Sequence, residues 1–329
     1  MALLPDAMTE RPTFVCESGD EPRLDRFLNE QLPELSRTKL QALIRAGAVL
    51  VDGVAAARPS LRLASGARIE LVELAAAPPS GSAPQPEAIP LDILYEDDDL
   101  AAINKPAGLV VHAGAGHRSG TLVNALLHRY GTLSSGGGGA AERPGIVHRL
   151  DQYTSGVMLV ARNDAAHQKL SEQFQQRSLR KIYRALVQGT MAESVGEIEL
   201  PIHRDLHHRL RMTTRRRDGR AARTGYRVLE TLGSGGSRYS WLEIELHTGR
   251  THQIRVHLGA VGHPVVGDRL YGAAAALAGP GALAGFRAPR PMLHAASIAF
   301  THPRTGAPLQ FSAPLPSDIT SLLEILRSS

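Results

Sequence analysis

The sequence carries a single cysteine, Cys16, among its 329 residues, which excludes an intrachain disulfide framework and any zinc site built from several thiolates. One thiol fits a chain that works in a reducing compartment. Aromatic residues make up only 4% of the chain, so a core must come mostly from Leu, Val, Ile and Ala. No apolar run approaches the roughly 18 residues that suggest a membrane span. Residues 1–10 lack a basic stretch followed by an apolar one. We therefore expect a cytoplasmic protein without a membrane partner. Acidic residues are outnumbered, 32 against 37 Lys plus Arg, a net charge of +5 that favours a polyanionic partner. The excess is modest, so where it sits matters more than its size.

Several chemistries are absent too. GAGHRSGT, from Gly114, lacks the Gly-Lys-Ser/Thr ending of a phosphate loop. No Gly-x-Ser-x-Gly elbow is present, and Ser234 in GSGGS has the wrong spacing. A glycosidase needs two carboxylates flanking the bond, whereas the most conspicuous polar segments offer one, Asp151, among arginines. A lone carboxylate so surrounded suits attack on a sugar carbon or stabilisation of positive charge there.

That carboxylate belongs to the stretch around which the chain is organised, Gly145–Ala161, GIVHRLDQYTSGVMLVA. Val157–Val160 reads as a buried strand fed by a turn at Thr154–Gly156, which puts His148, Arg149 and Asp151 on the lip of a core strand. Before it, Leu24, Phe27 and Leu28 recur at helical spacing. A second helix follows, with Ser36 as N-cap, Gly47 as stop and Leu40, Leu43 and Ile44 as its apolar stripe. Arg37, Gln41 and Arg45 recur every four residues with Lys39 beside them, giving that helix a basic face. Ala48–Val51 and Arg68–Val72 read as strands, with a tight turn at Asp52–Gly53. Residues 1–20 carry no strong signal. Ala75–Pro90 holds five prolines and reads as a linker, dividing a small domain, 1–74, from a large one, 91–329.

In the large domain, Ile93–Tyr95 and Leu100–Asn104 read as strands, Thr121–Tyr130 as a helix, and Gly131–Arg143 as a glycine-rich excursion. Asn163 caps a helix running to about Gln176, and Lys181–Gln188 alternates as a strand. Leu206–Leu229 has eight arginines and one acid, Asp218, a pattern for a phosphate-contacting loop or hairpin that includes Arg215 and Arg216. Trp241–Leu246 and Thr251–Leu258 read as strands. On a strand, His247, His252 and His257, five apart, alternate faces and cannot share a metal, while Arg255 and His257 share a face and Arg250 lies at the turn. Met292–Phe300 reads as a late strand and Ile319–Leu326 as a closing helix.

Four blocks together carry a family resemblance: Asn104–His112 with GAGHRSGTLVNALLH, then GIVHRLDQYTSG, KIYRALV, and LHTGRTHQIRVHLGAVGHPVVGD. The chain resembles RluA-type pseudouridine synthases, most of all the branch that modifies large-subunit ribosomal RNA. Its N-terminal part is similar to the small alpha-L RNA-binding domain of the S-four type. Gln152–Tyr153 departs from the basic-acidic pair frequent in relatives, and Ala113 from their proline. The resemblance implies an α+β catalytic domain with a mixed, largely antiparallel sheet and a cleft, plus a small α/β RNA-binding head. It implies isomerisation of uridine after extrusion of the nucleotide, with no cofactor and no metal. Asp151 would be the catalytic carboxylate, Tyr183 would stack on the target base and help remove its carbon-five proton, and Arg255 would pair with Asp151. Arg149 would fill the gap left in the RNA. His148, Arg37, Lys39, Arg45, Arg215, Arg216 and Arg250 complete the expected RNA contacts, and a monomer is expected. Two other readings stay open on the residues alone: a non-catalytic RNA-binding or ribosome-assembly protein, and an RNA hydrolase using His148 and Asp151.

Overall fold

The computed structural model describes residues 12–17, 19–32, 35, 37–72, 84–113, 119–134, 143–208, 210–216, 218–233 and 238–328, and of residues 37–39, 42 and 282 the backbone alone. These fall into two compact units, one within residues 1–83 and the other formed by 84–134 and 142–329. The expected cap Ser36, the linker residues 75–83 and most of the glycine-rich run lie outside the described residues.

In the first unit β1 (Thr13–Val15), β2 (Val49–Val51), β3 (Val54–Ala55) and β4 (Arg68–Leu71) form an antiparallel sheet in the order β1-β4-β2-β3. Two helices, α1 (Leu24–Gln31) and α2 (Arg37–Arg45), complete it. Leu24, Phe27 and Leu28 of α1 meet Leu40 and Ile44 of α2 and Ile69 of β4, as spacings of three and four require. Asp25 is fully buried and is gripped by Arg23 and by Gln41, whose Nε2 donates across the helix pair at 2.7 Å. Asp52 and Gly53 both take positive φ, +50° and +78°, the turn that matches the twist of a two-residue hairpin. Strand β1 lies where the sequence carried no strong signal. Three residues are too few for a period to register.

The second unit is built on a nine-stranded sheet. Its strands are β5 (Asp92–Glu96), β6 (Leu100–Lys105), β7 (Ser155–Ala161), β8 (Arg180–Gln188), β9 (Val195–Glu199), β12 (Arg223–Leu232), β13 (Tyr239–Leu246), β14 (Leu293–Thr301) and β15 (Pro308–Ser312). A separate short hairpin pairs β10 (His203–Arg204) with β11 (Met212–Thr213). The order is β5-β6-β7-β14-β8-β13-β12-β9, with β15 also on β14, and among the described strands β7 with β14 is the one parallel pair. Helices α3 (Leu122–Tyr130), α4 (Asp164–Gln176), α5 (Gln253–Ala260) and α6 (Ser317–Arg327) pack around the sheet. None of the described helices is long and apolar enough to cross a membrane.

Strand β7 is buried at every residue because both faces are covered: Met158 and Val160 enter one core, Val157, Leu159 and Ala161 the other. At its start Gly156 takes φ +114°, and a Cβ there would lie 2.1 Å from Ala295 O. Only glycine allows the crossing of β7 and β14 at that spacing. Asn163 caps α4 through the Ala166 amide, and Thr121 caps α3 in a reciprocal pair with Asn124. Residues 84–90 run extended near α3, where Gln85 O accepts from Asn124 Nδ2 at 2.6 Å and Glu87 accepts from the Gly120 amide.

Two expectations are corrected. Thr251–Leu258 is not a strand: Gln253–Ala260 is helix α5, with Gln253, Ile254, Val256, His257 and Leu258 all buried. A helix covered on most sides keeps no polar face, so the alternation of Ile254, Val256 and Leu258 imitated a period of two. Arg255 and His257, two apart on a helix, therefore face different directions. The arginine-rich stretch 206–229 is not one hairpin either. It runs through β11 and into β12, one strand in from the sheet edge, where Arg223 meets Glu197 of β9 and Arg227 meets Glu243 of β13. The balancing acids come from neighbouring strands, which a count along the chain does not see.

Candidate active site

Asp151 lies four residues before β7, on a loop anchored by the buried Leu150. A fully buried lysine fixes the same loop. Lys105, the last residue of β6, donates to the carbonyls of Pro106 (2.8 Å), Leu109 (2.9 Å) and Gln152 (3.0 Å). Burial brings its pKa down to about 7, against the pull of the Asp151 carboxylate. Asp151 Oδ2 accepts from Arg255 Nη1 at 3.0 Å. Arg255 in turn spans Asp268, Nε to Oδ2 at 2.5 Å and Nη2 to Oδ1 at 2.9 Å, with its guanidinium 5.2 Å from the Tyr271 ring centre. Burial works against the Arg255 charge, but Asp268 and Asp151 outweigh it and raise the guanidinium pKa. Asp151 Oδ1 makes no hydrogen bond among the described residues, so one oxygen is held and the other is left to a ligand of the cleft that Asp151 lines.

Asp151 lines a cleft of about 600 Å³ together with His148, Arg149, Arg177, Lys181, Tyr183, Arg250 and His252. Among the described residues it is the one carboxylate in the lining, with five Arg and Lys side chains including Arg255. Tyr183, on β8, is only 8% exposed; burial and then the Asp151 charge raise the pKa of its hydroxyl, which keeps its proton. Arg149, Arg177 and Lys181 have no carboxylate partner among the described residues. Lys181 is lowered to about 8 by burial and by Arg177. Arg250 is lowered by burial, then by Arg220 and Arg177. Crowded cations without acids are a standing attraction for phosphates.

The structure thus brings together Asp151, Tyr183, Arg255, Arg149, His148 and Arg250 of the residues singled out in the sequence. His148 contributes mainly a wall: its Nε2 accepts the Leu159 amide at 2.8 Å and its ring stacks on Phe174 at 4.5 Å. Burial and the Lys181 ammonium press its pKa to about 3, so it offers RNA no positive charge. Arg45 is exposed in the first unit, while the side chains of Arg37 and Lys39 lie outside the described residues. Arg215 is exposed but does not line the cleft, and Arg216 is held bidentately by Asp218. His247, His252 and His257 stand apart in function: His257 is buried on Thr224 and Leu200 O, His252 faces Tyr271, and His247 lies 3.7 Å from Glu197. Among the described residues one group has the donors for a metal, Asp97, Asp99 and His302, and it lies outside the cleft lining. It reads as an ion-pair net, because Arg304 Nε already sits 2.6 Å from Asp99 Oδ2 and His302 Nε2 2.8 Å from Asp97.

A profile of the RNA pseudouridylate synthase family matches residues 99–260, which include Asp151, Tyr183 and Arg255, and one of the S4 domain matches residues 22–69. An RNA pseudouridine synthase of Chloroflexus aurantiacus is 48% identical over 318 residues, covering 97% of this chain and 94% of its own. The chain belongs to the RNA pseudouridine synthase family. The ribosomal large subunit pseudouridine synthase D of Xanthomonas campestris is 44% identical over 324 residues, covering 96% of this chain and 92% of its own. Among solved structures, human RNA pseudouridylate synthase domain containing 1 superposes with a TM-score of 0.53 at 28% identity, covering 76% of this chain and 97% of its own. This pseudouridine synthase is an α+β isomerase with an S4 domain at its N-terminus. Lys105, His252, Asp268 and Tyr271 stand in or beside the recognised sequence blocks, yet their spacing gave no hint that all four converge on Asp151 or its partner.

Proposed function

We propose that this enzyme converts uridine to pseudouridine in large-subunit ribosomal RNA, with Asp151 as the reacting carboxylate. The observation that carries this reading is a single carboxylate, with one oxygen gripped and the other without a hydrogen bond, in a cleft whose other charged lining residues are Arg and Lys. The bond from C1′ to N1 breaks, the freed uracil turns, and a bond from C1′ to C5 forms while C5 loses its proton and N1 gains one. Atoms balance within the nucleotide, so the protein supplies position and charge. The free Oδ1 meets the ribose, Arg255 steadies Oδ2, and Tyr183 forms the floor for the base with a hydroxyl that can relay the C5 proton. The target must leave its stack to enter the cleft. Arg149, exposed at the rim, occupies the space it vacates, and Arg177, Lys181 and Arg250 contact flanking phosphates.

The S4 domain, within the expected 1–74, adds RNA contacts through Arg37, Lys39 and Arg45; the expected 75–90 segment, whose residues 84–90 belong to the second unit, joins the two and raises the local concentration of the 91–329 domain at its substrate. The relative named above as a large-subunit enzyme and the +5 net charge support a ribosomal RNA substrate, which we expect a monomer to meet in the cytoplasm. Pseudouridine mapping of ribosomal and transfer RNA tests the reading in cells carrying either the intact protein or Asp151→Asn. Loss of defined large-subunit sites at equal protein level is the expected result. An unchanged map overturns the assignment and turns attention to RNA binding alone.

A further inference from the structure

Beside the carboxylate, the residue that opens α5 is a histidine in the left-handed region. His252 has φ +56°, a conformation that a side chain with a β-carbon seldom adopts. Its Nδ1 lies 2.8 Å from Tyr271 Oη, and its Nε2 faces Asp151 Oδ2 at 3.8 Å. Tyr271 Oη already accepts the Met212 amide at 2.9 Å. The phenol has one proton to give, burial pushes its pKa up to about 12, and the acceptor in reach among the described residues is His252 Nδ1. With Nδ1 accepting, the proton of the neutral ring sits on Nε2, the nitrogen that faces the carboxylate. Burial lowers the His252 pKa and keeps the ring neutral; Asp151 and Asp268 oppose this, while Arg255 and Arg149 add to it.

Resting on the assignment of Asp151 as the reacting group, we propose that His252 is a positioning residue for it. Tyr271 fixes the imidazole tautomer, and the Nε2–H becomes the second donor to Asp151 Oδ2 once RNA fills the cleft. Arg255 alone holds the carboxylate at one point, about which it can swing. Two donors on one oxygen fix the plane and leave Oδ1 aimed at the ribose. The gap of 3.8 Å is longer than a hydrogen bond, as catalytic contacts often are before substrate closes them.

A merely structural role and a positioning role make opposite predictions for two conservative variants. In His252→Asn the new residue tolerates left-handed φ and its amide reaches the place of Nδ1, keeping the Tyr271 contact but not the donor. In His252→Gln the amide reaches the place of Nε2, keeping the donor to Asp151. With the purified full chain and large-subunit RNA, the Gln variant is expected to form pseudouridine in single turnover within a few-fold of the native enzyme. The Asn variant is expected to be slower by about 10- to 100-fold, the size of one hydrogen bond to a charged group, with RNA affinity unchanged. An Asn rate equal to or above the Gln rate overturns the proposal. A native enzyme that binds this RNA but makes no pseudouridine fails the functional reading itself, so a second measurement stands apart from turnover. Imidazole ¹⁵N spectra of the native protein, with the His252 signal assigned by its loss in the Gln variant, should show the neutral proton on Nε2. A proton on Nδ1 contradicts the proposal.

Discussion

The arginines of the cleft and those of the stretch 206–229 differ in one respect, the company they keep. Arg149, Arg177 and Arg250 line the cleft, and none of them has a carboxylate ion-pair partner among the described residues. Arg216, Arg223 and Arg227 belong to the most arginine-rich stretch of the chain, yet each is paired, with Asp218, with Glu197 and Glu199, and with Glu243. A count of basic residues points to the second group as the RNA surface. Charge left uncompensated points to the first. Phosphates gain most where a cation has no carboxylate to give up.

Four outcomes sharpen or break that contrast. Asp268 makes Arg255 the exception in the cleft, a cation with acids on both sides. Asp268→Asn should leave RNA affinity near native while slowing single-turnover pseudouridine formation about a hundredfold, the scale of a small misplacement at the reacting centre. Next, replacing Arg177 and Arg250 together by Gln should weaken RNA binding and flatten its salt dependence by about 0.7 per lost phosphate contact on single-stranded RNA, read from filter binding at several salt concentrations. A smaller effect concerns an ion-pair net outside the cleft. Burial alone would raise the Asp97 pKa, but the Tyr95 hydroxyl, the Leu100 and Asp99 amides and His302 hold it down at about 2. A carboxylate lowered in the folded state stabilises the fold above its ordinary pKa of 3.8 and loses that contribution as the pH falls towards 2. The loss, roughly 2 kcal/mol, should appear in denaturant titrations across that window and be absent in Asp97→Asn. Least of all, Arg223→Gln should alter neither RNA affinity nor its salt slope, and the melting temperature hardly at all, because exposed ion pairs contribute little. A strong binding defect in Arg223→Gln would erase the distinction between the two groups.

What could be read from the sequence follows the same line between local and non-local information. The run Val157–Val160 announced a buried strand because both its faces are covered, so apolarity alone carried the signal. Leu24, Phe27 and Leu28 announced α1 by spacing, and Asn163 announced the start of α4 by its cap. Helix α5 escaped because burial on most sides removed its polar face. The site was legible as Asp151, Tyr183 and Arg255, residues set in recognisable blocks. Its supports were not: Lys105 reaches Gln152 across 47 positions of chain, Asp268 meets Arg255 across 13, and Tyr271 meets His252 across 19. Nothing in one-dimensional spacing marks such contacts, which arise only once β6, β7 and α5 are packed. The acids that neutralise Arg223 and Arg227 were hidden in the same way, being cross-strand neighbours.

Whether Asp151 is the reacting carboxylate of the RNA cleft is decided by one comparison of purified proteins. Native enzyme and Asp151→Asn are each incubated in excess over large-subunit ribosomal RNA, with pseudouridine and bound RNA measured in the same samples. The Asn protein is expected to bind RNA as the native one does and to form no pseudouridine above background. Pseudouridine formed by Asp151→Asn at a rate near native would contradict it.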